Sequence, residues 1–292
     1  MNLIITDSGL GGLSVCANLV ADLSSTTLDE DFDIKYINAV PEKYYGYNRM
    51  PNRAEKIKVF DQFLSVISHK YEPDYIYVAC NSLSVLMKET TIYKSKNIPV
   101  LGIIETGVEL LMAHYIPEII NIVILAAPTT IAENTYHEKL VAEGIPADTI
   151  ISQACPELAN TISNDPAGGM ISNLIAEYLS TAMEKITSTC ERYLIYLGCT
   201  HYGYRRDIFK QELEKYPRLF KIINPNDAVT INLFPAKNNY HSKGKTGRVN
   251  VEFITSYQIP KREIATLSNY LKNVSPTTVY ALQNYILDHE LF

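Results

Sequence analysis

Short, β-rich apolar runs alternate with helical patterns from the first residue almost to the last, and this rhythm constrains the fold more than any other feature of the chain. Such alternation is the signature of α/β layers built around parallel sheets. The predicted strands begin at Leu3-Ile4-Ile5-Thr6, Ile34-Lys35-Tyr36-Ile37, Tyr75-Ile76-Tyr77-Val78 and Pro99-Val100-Leu101-Gly102. A second series follows at Ile122-Val123-Ile124-Leu125, Thr149-Ile150-Ile151 and Tyr193-Leu194-Ile195-Tyr196-Leu197. From Arg53 to His69, the residues Ile57, Phe60, Leu64 and Ile67 fall close to the three-and-four spacing of an amphipathic helix. A chain of 292 residues is long for one compact domain and comfortable for two that share a cleft.

Within this rhythm one internal echo stands out. The strings YIYVACNS at Tyr75 to Ser82 and YLIYLGCTH at Tyr193 to His201 share a layout of apolar strand, small residue, cysteine and hydrogen-bonding residue. Ligands in open α/β sheets bind outside the carboxyl ends of the strands, which puts Cys80 and Cys199 on ligand-facing edges. If two such sheets face each other, the thiols converge.

Composition excludes several alternatives. The 47% hydrophobic and 20% charged content is that of a soluble globular protein. The net charge is -6, with basic residues scattered rather than massed, so no electrostatic footprint for nucleic acid is expected. The opening MNLIITDSG lacks the features of a secretory leader, and no stretch reaches the length of a membrane span, which makes the cytoplasm the simplest expected address. Five cysteines, at 16, 80, 155, 190 and 199, form no paired spacing and read as reduced thiols.

Cys80 precedes Asn81 and Ser82, whose side chains, with a following helix N-terminus, offer donors to a substrate carboxylate. A lone cysteine of this kind reads more simply as a buried inert thiol, and the repeat of the pattern changes that balance. In Gly198-Cys199-Thr200-His201-Tyr202, threonine donates and histidine exchanges protons near neutral pH. The loop Asp7-Ser8-Gly9-Leu10-Gly11-Gly12 lacks the last glycine of a dinucleotide cradle, and Asp7 at its mouth would repel phosphate. Asp7 reads either as a helix cap or as a group that binds a substrate ammonium or assists a thiol. Tyr44-Tyr45-Gly46 could serve a carboxylate, although 21 tyrosines make a surface role the simpler reading. Cys199 and His201 have no second Cys/His pair at ligand spacing, which argues against zinc. Residues Ala236 to Gly247 read as an exposed polar loop.

Two thiols suit inversion at an amino-acid α-carbon, which needs a base on one face and an acid on the other. A reference pKa of about 8.5 lets one sulfur be thiolate and the other thiol near neutral pH.

These motifs resemble the aspartate/glutamate racemase superfamily, most closely the glutamate racemases. The resemblance rests on TDSGLGGLSV from Thr6, YYG at Tyr44, VACNS at Val78, GIIETG at Gly102, APTTIAENTY at Ala127, QACP at Gln153, LGCTHY at Leu197 and VEFITS at Val251. It implies two pseudo-symmetric α/β domains with the active site at their interface, residues 1–98 and 208–292 forming the first and 99–207 the second. It implies a cofactor-independent amino-acid racemase, using neither pyridoxal phosphate, flavin nor metal, that acts on a small acidic amino acid, assembles as a homodimer and supplies D-glutamate for the cell wall. Cys80 and Cys199 are the catalytic pair by this carry-over, Asp7 assisting the first and His201 the second. Ser8, Tyr45, Gly46, Asn81, Ser82, Thr130 and Thr200 would hold the substrate. Several positions depart from the family pattern. Ser163 stands where a glutamate is usual, with Asp165 or Glu157 as substitutes, and Thr106 replaces a proline in Glu105-Thr106-Gly107. Aspartate or another amino acid as substrate, or a weakly catalytic protein that binds acidic ligands, are the alternative readings.

Overall fold

The apolar runs assemble into two sheets whose strand pairings are all parallel. The computed structural model describes residues 1–25, 28, 30–42, 46–186, 190–233 and 247–292. The strands are β1 (Asn2–Asp7), β2 (Phe32–Asn38), β3 (Tyr75–Val78), β4 (Val100–Gly102), β5 (Ile120–Ala126), β6 (Ile150–Ala154), β7 (Arg192–Gly198), β8 (Leu219–Ile223), β9 (Val249–Thr255) and β10 (Ile286–Leu287). The first sheet runs β10-β9-β2-β1-β3-β4 and the second β6-β5-β7-β8. The helices that matter for the site are α1 (Leu13–Ser24), α2 (Arg53–Tyr71), α3 (Asn81–Met87), α4 (Thr91–Ser95), α5 (Ile103–His114), α6 (Pro128–Ala132) and α7 (Thr135–Ala142).

Helices cover both faces of each sheet, so the central strands are apolar without interruption. All seven residues of β5 are buried. Successive residues still point to opposite faces. Leu3 and Ile5 pack into one core beside α1, whereas Ile4 joins Phe60, Leu64 and Ile67 of α2 on the other side. In the second sheet Val123 and Leu125 face one layer, and Ile122 and Ile124 face another containing Leu111 of α5 and Tyr136 of α7. The predicted helix over Arg53 to His69 is α2, opened by Asn52, whose side chain accepts from the Glu55 amide at 2.9 Å. Ile57 is only half-buried there, and Phe63 takes a core position the spacing argument did not include.

Sheet membership moves the expected domain limits. The expected limits place residues 100–102 in the second domain, whereas β4 pairs with β3 in the first sheet. They place residues 219–223 in the first, whereas β8 pairs with β7 in the second. The chain therefore crosses between halves through α5 and returns only after Ile223. Of the predicted loop at Ala236 to Gly247, residues 236–246 lie outside the described residues. Among the described residues, no helix is long and apolar enough to cross a membrane.

Candidate active site

The parallel register carries the chemistry to one edge. Thr6 of β1 lies beside Val78 of β3, and the Ala79 amide extends that ladder by donating to the Thr6 carbonyl at 2.8 Å. Asp7, Ser8 and Cys80 therefore leave adjacent strands side by side. Ser8 Oγ and Cys80 Sγ are 3.0 Å apart, and the Asp7 carboxylate lies close enough for it and the Cys80 thiol to influence each other's ionisation. Asn81 and Ser82 then open α3.

The second sheet presents its counterpart at the end of β7, where Gly198 is followed by Cys199 and a 3-10 turn over Thr200–Arg205. The Thr200 hydroxyl donates to Asp7 Oδ2 at 2.7 Å, so the carboxylate of the first half is held by a residue of the second. Asn226 ties the same corner, donating from Nδ2 to Ser14 Oγ at 2.7 Å and to the Thr200 carbonyl at 2.9 Å. Close approach at this joint needs a glycine. A Cβ on Gly11 would lie 2.3 Å from Thr200 Oγ1 and 2.7 Å from the His201 backbone nitrogen. Tyr204 closes the loop from the other side by donating to the Leu10 carbonyl at 2.9 Å.

Burial dominates the electrostatics. It pushes the Cys80 thiol well up, with the Asp7 charge adding to the effect. It pushes the Cys199 thiol up to about 12, where Asp7 again contributes. The expectation that one sulfur rests as a thiolate near neutral pH therefore does not describe this site. Desolvation raises both thiols, Cys80 being buried and Cys199 partly so, because charging a sulfur withdrawn from water costs more than the nearby donors return. Asp7 itself is raised to about 6 by burial, which outweighs the donors from Thr200, Cys80, Gly12 and Gly9. His201 is lowered to about 4 by burial and is neutral at physiological pH. Its Nδ1 stands 3.9 Å from Cys199 Sγ, within reach of a proton on that thiol. Each thiol thus has a proton acceptor beside it.

The other predicted residues distribute as follows. Ser82 Oγ and Thr130 Oγ1 are 3.0 Å apart, joining α3 of the first half to α6 of the second. Gly46 precedes a 3-10 turn over Tyr47–Arg49, and among the described residues nothing outside its chain neighbours lies within 4 Å of where its Cβ would be. Tyr45 lies outside the described residues. Of the carboxylates considered for Cys199, Asp165 accepts from the amides of Met170 at 2.8 Å and Ile171 at 3.3 Å, the work of a helix cap. Glu157 reaches Asn160 Nδ2 at 3.5 Å, and Ser163 is buried. Asp7 is the carboxylate whose charge reaches both sulfurs. Among the described residues, no group of three or more His, Cys, Asp or Glu side chains is placed to hold a metal ion. Asn226, Tyr136 and Tyr196 escaped the sequence reading. The Asn-Pro-Asn-Asp turn directly after β8 was a usable signal for the first, because turns at carboxyl strand ends carry ligand groups.

Fold and site together define an α/β protein of two parallel-sheet halves, with a thiol at the carboxyl edge of each and one carboxylate between them. No family model matches the chain. A glutamate racemase of Sulfurihydrogenibium sp. (strain YO3AOP1) is 27% identical over 243 residues, covering 82% of this chain and 85% of that protein. A solved glutamate racemase isoform from Bacillus anthracis superimposes with a TM-score of 0.71 at 20% identity, covering 94% of each chain. Glutamate racemase from Francisella tularensis subsp. tularensis SCHU S4, solved in complex with D-glutamate, gives a TM-score of 0.70 at 23% identity over 94% of each chain. The chain is similar to glutamate racemases over most of its length and shares the fold of their solved structures.

Proposed function

We propose that this protein interconverts L- and D-glutamate without a cofactor, Cys80 and Cys199 working from opposite faces of the substrate α-carbon. The observation that carries this reading is the pair of strand-end thiols brought to one carboxylate, with Ser8 on Cys80 and Thr200 on Asp7. Deprotonation begins from neutral thiols. Asp7 takes the proton of Cys80, the resulting thiolate removes the α-hydrogen, and the Cys199 thiol returns a proton to the other face. After product leaves, Asp7 releases its proton to solvent and the Cys199 thiolate takes one up, restoring two neutral thiols. In the opposite direction His201 accepts the proton of Cys199. The substrate ammonium stabilises the transient thiolate, and Asn81, Ser82, Thr130 and Thr200 supply donors for the charge that gathers on the substrate carboxylate. Ser8, Tyr45 and Gly46 complete the proposed binding set.

Purified protein incubated with L-glutamate in deuterated water should yield D-glutamate labelled at the α-carbon. Absence of exchange with every acidic amino acid tested would remove the proposal. Exchange with aspartate alone would retain the chemistry and change the substrate. The proposal extends to a cytoplasmic homodimer that supplies D-glutamate for peptidoglycan, and light scattering of the purified protein reads the assembly state.

A further inference from the structure

We propose that Tyr136, backed by Tyr196, is the residue that positions Asn81 for its ligand, and that it does so from the opposite half of the molecule. This rests on the reading of the thiol cleft as an amino-acid site. Asn81 follows Cys80 directly and is buried. The Tyr136 hydroxyl donates to its Oδ1 at 2.6 Å, whereas its Nδ2 is buried without a partner. An amide donor left unpaired in a protein interior is costly, and a carboxylate oxygen of a bound ligand would satisfy it.

The polarity of the chain of hydroxyls fixes which end of the amide is free. Tyr136 has one hydroxyl proton, and it is committed to Asn81, so Tyr136 accepts from the Tyr196 hydroxyl 2.6 Å away. In the reverse order Asn81 Nδ2 would donate to Tyr136, and the fully buried Tyr196 would have to donate its proton elsewhere. Among the described residues, no other acceptor for that proton is found. The order Tyr196 to Tyr136 to Asn81 therefore holds the carbonyl end of the amide toward the tyrosines and leaves the two N–H groups for the ligand. A flipped amide, nearly identical in shape, would turn its oxygen toward an anionic ligand and repel it.

Two features hold the device in place. A Cβ on Gly107 of α5 would lie 1.9 Å from Tyr196 Oη and 3.0 Å from Tyr136 Cε1, so α5 packs directly behind both rings. Asn81 belongs to the half built on the first sheet and both tyrosines to the half built on the second. The donor orientation of Asn81 exists only while the halves are together. The arrangement mirrors the other thiol, where Thr200, the residue after Cys199, is bonded to Asp7 across the same boundary.

The test is a kinetic cycle with Tyr136→Phe, Asn81→Ala and their combination, read beside the side-chain amide resonances of Asn81. Tyr136→Phe should lower kcat/KM for glutamate by about tenfold, mainly through KM, the effect of one displaced hydrogen bond. Asn81→Ala should cost more, and the double variant should match Asn81→Ala within about twofold, because Tyr136 acts only through Asn81. Tyr196→Phe, which leaves the donor to Asn81 intact, should cost less than Tyr136→Phe. Losses that multiply in the double variant, or unchanged kinetics in Tyr136→Phe, would overturn the inference. The amide pair, identified by its disappearance in Asn81→Ala, should shift in Tyr136→Phe with no ligand present. A wild type inert toward every acidic amino acid removes the proposed reaction, whereas an amide pair that does not move removes this inference.

Discussion

In the proposed reaction Cys80 and Cys199 would depend on their neighbours rather than on their own acidity. Both are lifted by burial, so turnover should follow the ionisation of Asp7, whose carboxyl titrates at about 6. The expected profile of kcat/KM rises through about pH 6 on its acid side, and Asp7→Asn should flatten that limb and lower turnover by about a hundredfold or more. Alanine at either cysteine should abolish racemisation. Stability has its own sign. Asp7 is raised above its unfolded value, so the folded state keeps a proton that the unfolded chain releases, and this contribution is lost as pH rises from about 4 to 6. His201 is lowered to about 4, so the unfolded chain binds the extra proton, and stability from this group grows as pH rises through the same window. The two oppose. Asp7→Asn should therefore gain on the wild type in urea midpoint as pH rises from 4 to 6, and a constant difference would count against the raised carboxyl. The cysteines were legible because their setting is repeated in the sequence. Tyr136 was not, because among 21 tyrosines nothing local marks the one whose hydroxyl meets an asparagine 55 positions away.

Among elements, the loop between β1 and α1 shows how a glycine string can serve packing rather than phosphate binding. Gly11 lets the loop lie against the backbone of His201, which has no room to retreat. Gly11→Ala should cost about 1–3 kcal/mol by overpacking and should reduce turnover, since it wedges the joint beside Asp7. Urea unfolding and initial rates measure the two effects. Strands with long apolar runs, such as β1, β5 and β7, were evident from sequence. β8 was not read, because Leu219 to Ile223 is a short edge strand with alternating exposure that follows a charged, proline-containing stretch. β8 joins the second sheet through β7, because a strand's sheet is decided by its partner and not by its composition.

At the scale of the molecule, the halves are also joined at the surface. Arg53 of α2 reaches Glu133 at 2.9 Å and Glu89 at 2.5 Å. These groups are partly exposed, so Arg53→Ala should cost less than about 1 kcal/mol, and the cost should shrink in high salt. The bonds at Asp7 and Asn81 across the same boundary are buried, unlike this clasp. Two parallel sheets were legible from the strand rhythm, whereas the points where the chain crosses between them were not. The unequal division of the chain bears on the order in which it folds during synthesis. All four strands of the second sheet lie within residues 120–223 and emerge from the ribosome as one uninterrupted stretch. The first sheet must wait for β9, made last but one, to cover the open flank of β2. Until then an early half-sheet carries an unpaired edge beside a finished neighbour, and that interval is where a nascent chain of this design is most exposed to mispairing.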